Sequence, residues 1–342
     1  MYERKTCRLC DEPVKPVFKL TPTPIANNLK PYPDSNAVRY PLELTQCTGC
    51  SHVQQRFVVD AQTLYTDYKY STPDAVRPYL EEAAKDLRER FPQAETVLEI
   101  GSNNGLNLDV LCEQGFTAWG IDPCDGGHYF TSTTFGEEFY GTQSIILANH
   151  VFAHIDDLQD VFKGIDKLLA PEGAVVFEVQ YLPDLIAHVN FDMIYHEHLD
   201  HHTIAPLAKF LKRFNLVMTS VERTPRQGGS IRVTAERKGV EGAIPEESVD
   251  WADFSKKVEA RKVSLKARLG KTKLAAFGAA AKACTLINHF EIADNISVCI
   301  DDTPLKWGHY IPGTDIPIVQ DAPGPVLLTA WNYDVKGRFE VF

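Results

Sequence analysis

Short apolar runs recur through the middle of the chain, and stretches with helical spacing separate them. The runs TVLEIG (96–101), TAWGID (117–122), SIILAN (144–149) and AVVFEV (174–179) have the length and composition of buried strands. Strands of this kind that alternate with helices are typical of a parallel sheet covered by helices. The pattern therefore predicts an α/β fold with a Rossmann-like core.

Two later runs differ from the first four because only a short turn separates them. LVMTSVER (216–223) and SIRVTAE (230–236) flank the segment TPRQGG. This arrangement predicts an antiparallel pair that closes the sheet. The core domain is accordingly expected to cover 61–236.

A second α/β pattern follows a linker that contains glycine and proline, KGVEGAIP. A linker helix is predicted within 245–270, since VDWADFSKKVEARKVSLKARL has amphipathic spacing. After it come KLAAFGAAAKACTLINHF, ISVCIDD and PGPVLLTAWN, which predict strand, helix, strand and strand. We expect a smaller C-terminal α/β domain over 237–342.

Composition narrows the possible partners. The chain has 342 residues, 44% of them hydrophobic, and a net charge of −11. An acidic protein of this kind is not expected to bind nucleic acid or an anionic membrane, although one local basic pocket can still bind an anionic small molecule. Without a long apolar run or a signal-peptide core, a cytoplasmic location is expected, where thiols stay reduced.

Two C-x-x-C units lie in the proline-rich region 1–60. Cys7 and Cys10 form the first, and Cys47 and Cys50 form the second. Each unit can aim two thiolates at one ion, and two units complete the tetrahedral Cys₄ shell that zinc prefers. A closed shell of this kind predicts a structural Zn²⁺ and a zinc-binding module over 1–60. The remaining cysteines are expected to be small buried hydrophobes: Cys112, Cys124, Cys284 and Cys299.

The turn after the first core strand has the composition of a ligand-binding turn. It reads GSNNG, without the Walker lysine and without the spacing of the dinucleotide fingerprint. Glu99 precedes it and can pair with a cationic amino group, and Asp122 ends the next strand, where a carboxylate can accept both hydroxyls of a ribose. An amine, a ribose and no phosphate fit S-adenosylmethionine; a nucleotide, or plain strand–turn–helix packing, is the alternative. The predicted cofactor residues are Glu99, Gly101, Ser102, Asn103, Gly105, Asp122 and Asn149.

Four of the eleven histidines fall within DMIYHEHLDHHT (192–203). Such a cluster can bind a metal, move a proton or face water. The zinc-protease motif H-E-x-x-H fails, because Asp200 stands where its second histidine would be. A metal site on one helix face, a solvated loop and acid–base catalysis remain open from these residues alone.

Taken together, these motifs resemble the S-adenosylmethionine-dependent sugar C-methyltransferases that build branched-chain deoxysugars. The resemblance covers essentially the whole chain and is most distinctive in YHEH followed downstream by GGSIRV. It implies a zinc module, a methyltransferase core and a C-terminal Rossmann-like domain that contributes to nucleotide-sugar binding.

The resemblance also implies roles for individual residues. The substrate would be a nucleotide-activated 4-keto-6-deoxy sugar, and His198 would be the general base that forms an enolate. Tyr195, Glu197 and His154 would lie around the reacting sugar, whereas His196, His201 and His202 would be structural or surface residues. Further substrate contacts are expected from Tyr68, Tyr70, Lys282 and Tyr310; for Lys282 the alternative is a solvated helix lysine.

The sequence departs from the family after GIDP (120–123). Only CDGGHYFTSTTFGEEFYGTQ precedes the next strand, where the family has a further helix and strand. The missing wall of the adenosine pocket keeps two alternatives open. One is an isomerase or epimerase that enolises without methyl transfer, and the other is a non-catalytic nucleotide-sugar-binding protein.

Overall fold

The computed structural model describes residues 1–65, 72, 74–122, 141–332, 338–339 and 341. Tyr68, Tyr70 and Cys124 lie outside the described residues, as does most of the shortened segment after Asp122.

The described residues form strands and helices throughout. The strands are β1 (Tyr2–Glu3), β2 (Val14–Thr23), β3 (Tyr40–Cys47), β4 (Val53–Gln55), β5 (Phe57–Val58), β6 (Thr96–Ile100), β7 (Thr117–Ile121), β8 (Gln143–Asn149), β9 (Leu169–Gln180), β10 (Asp200–His201), β11 (Val217–Thr224), β12 (Ser230–Glu236), β13 (Leu274–Phe277), β14 (Ile296–Ile300), β15 (Ile318–Val319) and β16 (Val326–Leu328). The helices are α1 (Ala61–Tyr65), α2 (Arg77–Arg90), α3 (Leu106–Glu113), α4 (Leu158–Leu168), α5 (Leu182–Ala187), α6 (Ile204–Lys212), α7 (Trp251–Leu269) and α8 (Ala281–Phe290).

The central sheet has the order β11-β12-β9-β8-β6-β7. Strands β9, β8, β6 and β7 are parallel, whereas β12 and β11 join the edge as the antiparallel pair that the sequence predicts. Because β6, β7 and β8 run in the same direction, their carboxyl ends lie together at one edge. The predicted class I methyltransferase core is confirmed.

Helix α4 shows how local sequence sets the packing of this core. Asp157 caps its first turn by accepting a hydrogen bond from the Asp160 amide at 3.0 Å. Val161, Phe162 and Ile165 are fully buried on the face toward the sheet. Their spacing of one and then three residues is that of an amphipathic helix, which buries one apolar stripe.

The N-terminal region contains a four-stranded sheet with the order β10-β4-β3-β2. The proline-rich sequence of 1–60 did not predict these strands. Strand β10 comes from the histidine-rich segment 192–203, so the core contributes an edge strand to the sheet whose strand β3 ends at Cys47.

The C-terminal region contains a parallel sheet with the order β15-β14-β13-β16, with α8 connecting β13 and β14. This confirms a second, smaller Rossmann-like unit. Helix α7 precedes it; its N-cap Asp250 accepts a hydrogen bond from the Asp253 amide at 3.0 Å. The boundaries 1–60, 61–236 and 237–342 stay a prediction.

One hydrophobic cluster joins all three regions. It contains Phe18 and Leu44 from the N-terminal sheet, Leu185 from α5, Phe254 from α7 and Ile287 from α8, all buried. Cluster residues from distant parts of the chain therefore bury one another's apolar surface.

The cysteine predictions outside the two C-x-x-C units hold in part. Cys284 and Cys299 are buried as expected, but Cys112 is exposed. It lies near the end of α3, at a position of that helix that faces solvent. None of the helices in the described part of the chain is long and apolar enough to cross a bilayer.

Candidate functional site: a zinc centre and a methyl-transfer centre

The four N-terminal cysteines converge on one point. Their sulfur atoms all lie within 4.8 Å of one another, and three of the four residues are buried. The amides of Gly49 and Cys50 each donate to Cys47 Sγ at 3.3 Å. Such donors favour the thiolate form, and four thiolates at this separation fit the closed tetrahedral shell of a structural Zn²⁺. The chain is a zinc-binding protein.

The glycine turn between β6 and α3 has the backbone conformation that its sequence suggests. Gly101 and Gly105 have φ angles of +79° and +80°, in the left-handed region that favours glycine. A Cβ on Gly101 would overlap the Val151 side chain. The Asn103 amide donates to Asp122 Oδ2 at 2.8 Å, which ties the turn to the end of β7.

Glu99 is the buried acid of this edge, with 3% of its surface exposed. Asn107 donates to its Oε1 at 2.7 Å, while no described residue donates to Oε2 within hydrogen-bond distance. Burial raises the pKa of Glu99 to about 7, against the amides of Asn107 and Asn149, which favour the carboxylate. A buried carboxyl group with a free oxygen fits a cationic amino group, as S-adenosylmethionine carries.

The seven predicted cofactor residues therefore share one edge of the sheet, at the carboxyl ends of β6, β7 and β8. They comprise a buried acid, a turn with two left-handed glycines and a second acid at the next strand. These features fit S-adenosylmethionine and not a dinucleotide, whose pyrophosphate the buried Glu99 would repel.

The segment 193–202, which we name the base loop, carries His198. The His198 Nδ1 lies 2.8 Å from the Met193 carbonyl oxygen, and Nε2 lies 2.6 Å from the Tyr195 hydroxyl. A carbonyl oxygen can only accept, so Nδ1 carries the proton and donates, and Nε2 accepts from Tyr195. The lone pair that a general base needs is on Nε2.

His198 is uncharged at neutral pH. Burial, and then the neighbouring His154 and His201, lower its pKa well below the ordinary value. The His154 ring lies edge-on to it, with 4.9 Å between ring centroids. Burial also lowers the pKa of His154 to about 4, although the Glu197 carbonyl, which accepts a hydrogen bond from that ring, opposes the shift.

Glu197 is buried beside Asn27 of the N-terminal region, and its charge acts on Cys284 of the C-terminal domain. Burial raises its pKa to about 7, and Asn27 donates to its Oε1 at 3.0 Å. Sequence reasoning missed Asn27, because nothing in the spacing of the proline-rich N-terminal region links it to a residue in the base loop.

The other three histidines of the cluster are buried. His196, His201 and His202 expose 2% of their surface or less, so a solvated loop is wrong. His201 lies in β10, so the helix face proposed for a metal does not exist. Among the described residues, only the four cysteines bring three or more metal-ligating atoms together.

The predicted sugar-binding lysine is buried. Lys282 exposes 4% of its surface, which rules out the solvated-lysine alternative. Its ammonium group donates to Asn332 and lies 4.4 Å from the centre of the Trp331 ring. Burial lowers the pKa of Lys282 to about 8, against the charge of Asp192. Tyr310, half-buried, donates its backbone amide to the Lys30 carbonyl at 2.9 Å.

A second buried acid was missed. Glu178, in β9, accepts hydrogen bonds from His150 Nε2 at 2.9 Å and from Tyr79, and pairs with Arg232 at 3.3 Å. Burial opposes its ionisation, but these contacts outweigh burial and lower the pKa of Glu178 to about 2. The glutamate within the apolar run AVVFEV is the signal that could have identified it.

Comparison with known proteins agrees with this geometry. Three family models match consecutive parts of the chain: a zinc-binding domain at 7–65, a methyltransferase domain at 74–221 and a C-methyltransferase C-terminal domain at 225–336. The C-methyltransferase NovU of Streptomyces niveus is 29% identical over 377 aligned residues, which cover 96% of this chain and 90% of NovU. That alignment is longer than the chain itself, so NovU has residues that this chain lacks.

Two solved methyltransferases overlap the chain partially. One is the 1,6-didemethyltoxoflavin-N1-methyltransferase of Burkholderia thailandensis, with 15% identity, a TM-score of 0.37, and coverage of 55% of this chain and 96% of that one. The other is an S-adenosylmethionine-dependent methyltransferase of Clostridium acetobutylicum, with 12% identity and a TM-score of 0.38. That match covers 52% of this chain and 96% of the other. Neither bears on substrate or mechanism. From its domain matches and its cysteine centre, the chain is an S-adenosylmethionine-dependent methyltransferase that carries an N-terminal zinc-binding domain and a C-methyltransferase C-terminal domain.

Proposed function

We propose that the protein methylates a carbon of a nucleotide-activated 4-keto-6-deoxy sugar, with His198 as the general base. The observation that carries the proposal is the buried, uncharged His198 ring, whose proton is held on Nδ1 by the Met193 carbonyl. That arrangement leaves the lone pair on Nε2, and the Tyr195 hydroxyl, which donates to it here, would turn its hydrogen away when the ring takes the substrate proton.

Residues at the edge of the central sheet would hold the cofactor. The Glu99 carboxylate takes the amino group, Asp122 accepts the ribose hydroxyls, and Asn149 is a further contact. In the turn that contains Gly101, Ser102, Asn103 and Gly105, the backbone would approach the cofactor closely. When bound, S-adenosylmethionine supplies an electrophilic methyl group.

His198 would remove the proton on the carbon beside the ketone, and the electron pair of that C–H bond passes into an enolate. Tyr195 orients the imidazole through its hydroxyl. Glu197 carries a proton in part of the molecules near pH 7, since its pKa is about 7, and can then donate to the enolate oxygen. His154 packs edge-on against the ring of the base.

The low pKa of His198 has a cost and a benefit. A low pKa makes a weaker base, but it also keeps the ring free of a second proton at neutral pH. Negative charge that develops on the enolate would favour the protonated ring and so strengthen the base during the step.

The sugar substrate is inferred from the motifs, since the relative NovU is described only as a C-methyltransferase. Lys282, near the start of α8, would meet the diphosphate, with Tyr310, Tyr68 and Tyr70 as further contacts. The domains 1–60, 61–236 and 237–342 would then supply the zinc module, the cofactor site and part of the nucleotide-sugar site.

The test is incubation with S-adenosylmethionine and a dTDP-4-keto-6-deoxy sugar, with mass spectrometry for one added methyl group. The wild type should form the product, and His198→Ala should not, while still binding the cofactor in calorimetry. His196→Gln is the matched control in the same loop, because His196 contacts the Tyr40 carbonyl. An unmethylated sugar after incubation with the wild type would refute the proposal.

A further inference from the structure

The base loop is part of the zinc module's sheet. Strand β10 pairs with β4 in the register Asp200↔Gln54 and His201↔Val53. Strand β4 begins shortly after Cys50, the last of the four zinc ligands. The Gln55 amide also donates to the Leu199 carbonyl at 2.8 Å. Backbone hydrogen bonds therefore connect the second C-x-x-C unit to the residue that follows His198.

Arg8 reaches the base loop from the first C-x-x-C unit. It lies between Cys7 and Cys10 and is fully buried. Its guanidinium donates to the Leu199 carbonyl at 3.3 Å and lies 3.8 Å from the Asp200 carboxylate. A buried guanidinium is stable only when such partners surround it, so these contacts hold Arg8 and the loop in one arrangement.

Asp200 is contacted from the second C-x-x-C unit as well. His52 follows Cys50 by two residues, and its Nε2 lies 2.7 Å from Asp200 Oδ1. Both side chains are completely buried. One carboxylate of the base loop is thus held by a residue from each half of the zinc site.

The same stretch of backbone is also fixed from the catalytic side. The amides of Leu199 and Asp200 both donate to the Ala153 carbonyl, at 2.7 and 3.2 Å. Ala153 immediately precedes His154, whose ring packs against His198. The segment next to His198 is therefore hydrogen-bonded to the zinc module on one side and to the core on the other.

We propose that Arg8, His52 and Asp200 are positioning residues that transmit the geometry of the zinc site to the His198 ring. Zinc then acts on catalysis at a distance, by fixing the loop that carries the base, and contributes no chemistry. This inference rests on the proposed role of His198.

The test variant is Asp200→Asn, which keeps the size of the side chain and removes the charge that Arg8 and His52 contact. A base displaced by a fraction of an ångström should lower kcat by about 10- to 100-fold. The KM for the sugar, the affinity for S-adenosylmethionine and the zinc content should stay near the wild-type values. A purely structural role would instead lower the zinc content, or lower kcat and raise the KM for the sugar together.

The matched control is Asp156→Asn. Asp156 pairs with the same Arg8 guanidinium, at 3.2 Å, but 43% of its side chain is exposed and it lies outside the base loop. Its kcat should stay close to wild type. The inference is overturned if Asp200→Asn keeps the wild-type kcat, or if the two variants lose activity equally.

If Asp200→Asn does not fold, His52→Phe is the alternative test variant. It removes the contact to Asp200 and keeps an aromatic ring at that position. A lower kcat with zinc retained supports the inference, and an unchanged kcat overturns it. Nitrogen NMR of labelled histidine adds a readout without substrate. His198 should be a single Nδ1-protonated tautomer in the wild type and a mixture in the variant.

The NMR experiment separates this inference from the proposed function. If the wild type methylates no keto-sugar, the proposed function fails, and the tautomer measurement still decides the positioning network. An identical His198 spectrum in the wild type and the variants would overturn the network even if the sugar is methylated.

Discussion

Two hydrogen bonds decide the chemistry of His198. The Met193 carbonyl fixes the proton on Nδ1, and the Tyr195 hydroxyl donates to Nε2. Any histidine is a candidate base near neutrality, but four histidines occur in this segment and only the contacts distinguish them. His196, by contrast, is held by the Tyr40 carbonyl, away from Tyr195.

The burial of Glu99 predicts how the affinity for the cofactor depends on pH. Its pKa is about 7 without ligand, because burial disfavours the carboxylate. A cationic amino group beside it favours the carboxylate, so S-adenosylmethionine binding should release a proton at pH 6 and almost none at pH 8. Affinity should accordingly weaken as the pH falls below about 7. Calorimetry in buffers of different ionisation enthalpy measures the proton release.

Two substitutions control this measurement. Glu99→Gln should weaken binding and abolish the proton release. Asp122→Asn should weaken binding and reduce the release only in part, because burial is the largest cause of the raised pKa of Glu99 and the charge of Asp122 the smallest. Binding that releases no proton at pH 6 in the wild type would contradict the role of Glu99.

The turn between β11 and β12 requires a glycine at the first glycine position of RQGGSIRV. Gly228 has a φ angle of +81°, and a Cβ there would overlap the Trp331 ring. Trp331 in turn donates to Asp192 Oδ2 at 2.7 Å, near the start of the base loop. The turn thus allows a close approach between the core and the C-terminal domain.

Gly228→Ala should therefore destabilise the protein more than a glycine substitution with backbone strain alone. Gly308 is the matched control, because its φ angle is +76° and a Cβ added there would meet no other atom within 4 Å. Alanine in the left-handed region costs about 1–2 kcal/mol, and Gly228→Ala adds the clash with Trp331. Thermal unfolding of both variants measures the difference. Equal losses in Tm would show that Trp331 does not restrict Gly228.

The N-terminal strands are elements that the hydrophobic pattern of the sequence does not predict. Strand β2, VKPVFKLTPT, contains two prolines, and proline argues against a strand in a sequence pattern. The structure accommodates Pro16 because the register of β2 with β3 shifts between Pro16 and Phe18. Strand β10, with two residues, is too short for any periodicity.

The shared sheet and the shared hydrophobic cluster predict that the whole molecule unfolds in one cooperative transition. Because β10 belongs to the zinc module's sheet and Phe18 packs with Phe254, the zinc module should not unfold separately. Zinc release, followed with a chelating dye, and tryptophan fluorescence should have the same midpoint on heating. Three of the four tryptophans, Trp251, Trp307 and Trp331, pack against that cluster. Zinc release several degrees before the fluorescence change would contradict this cooperativity.

The sequence was informative for several features that are local in the chain. The core strands, the antiparallel pair, the Cys₄ centre and the glycine turn each depend on residues close together in the chain. The contacts that build the site are long-range. Asn27 and Glu197 are 170 residues apart, Arg8 and Leu199 are 191 apart, and Trp331 and Asp192 are 139 apart. A single sequence contains no pattern that pairs such residues, so burial and partners of the histidines could not be predicted.

The central claim is that His198 removes a proton from the carbon beside a ketone. Its most direct test is deuterium exchange into a dTDP-4-keto-6-deoxy sugar in D₂O, followed by NMR with and without S-adenosylmethionine. The wild type should exchange that position, and form a methylated product when the cofactor is added. His198→Ala should exchange no faster than the sugar alone. Exchange at the wild-type rate in His198→Ala would show that another group is the base.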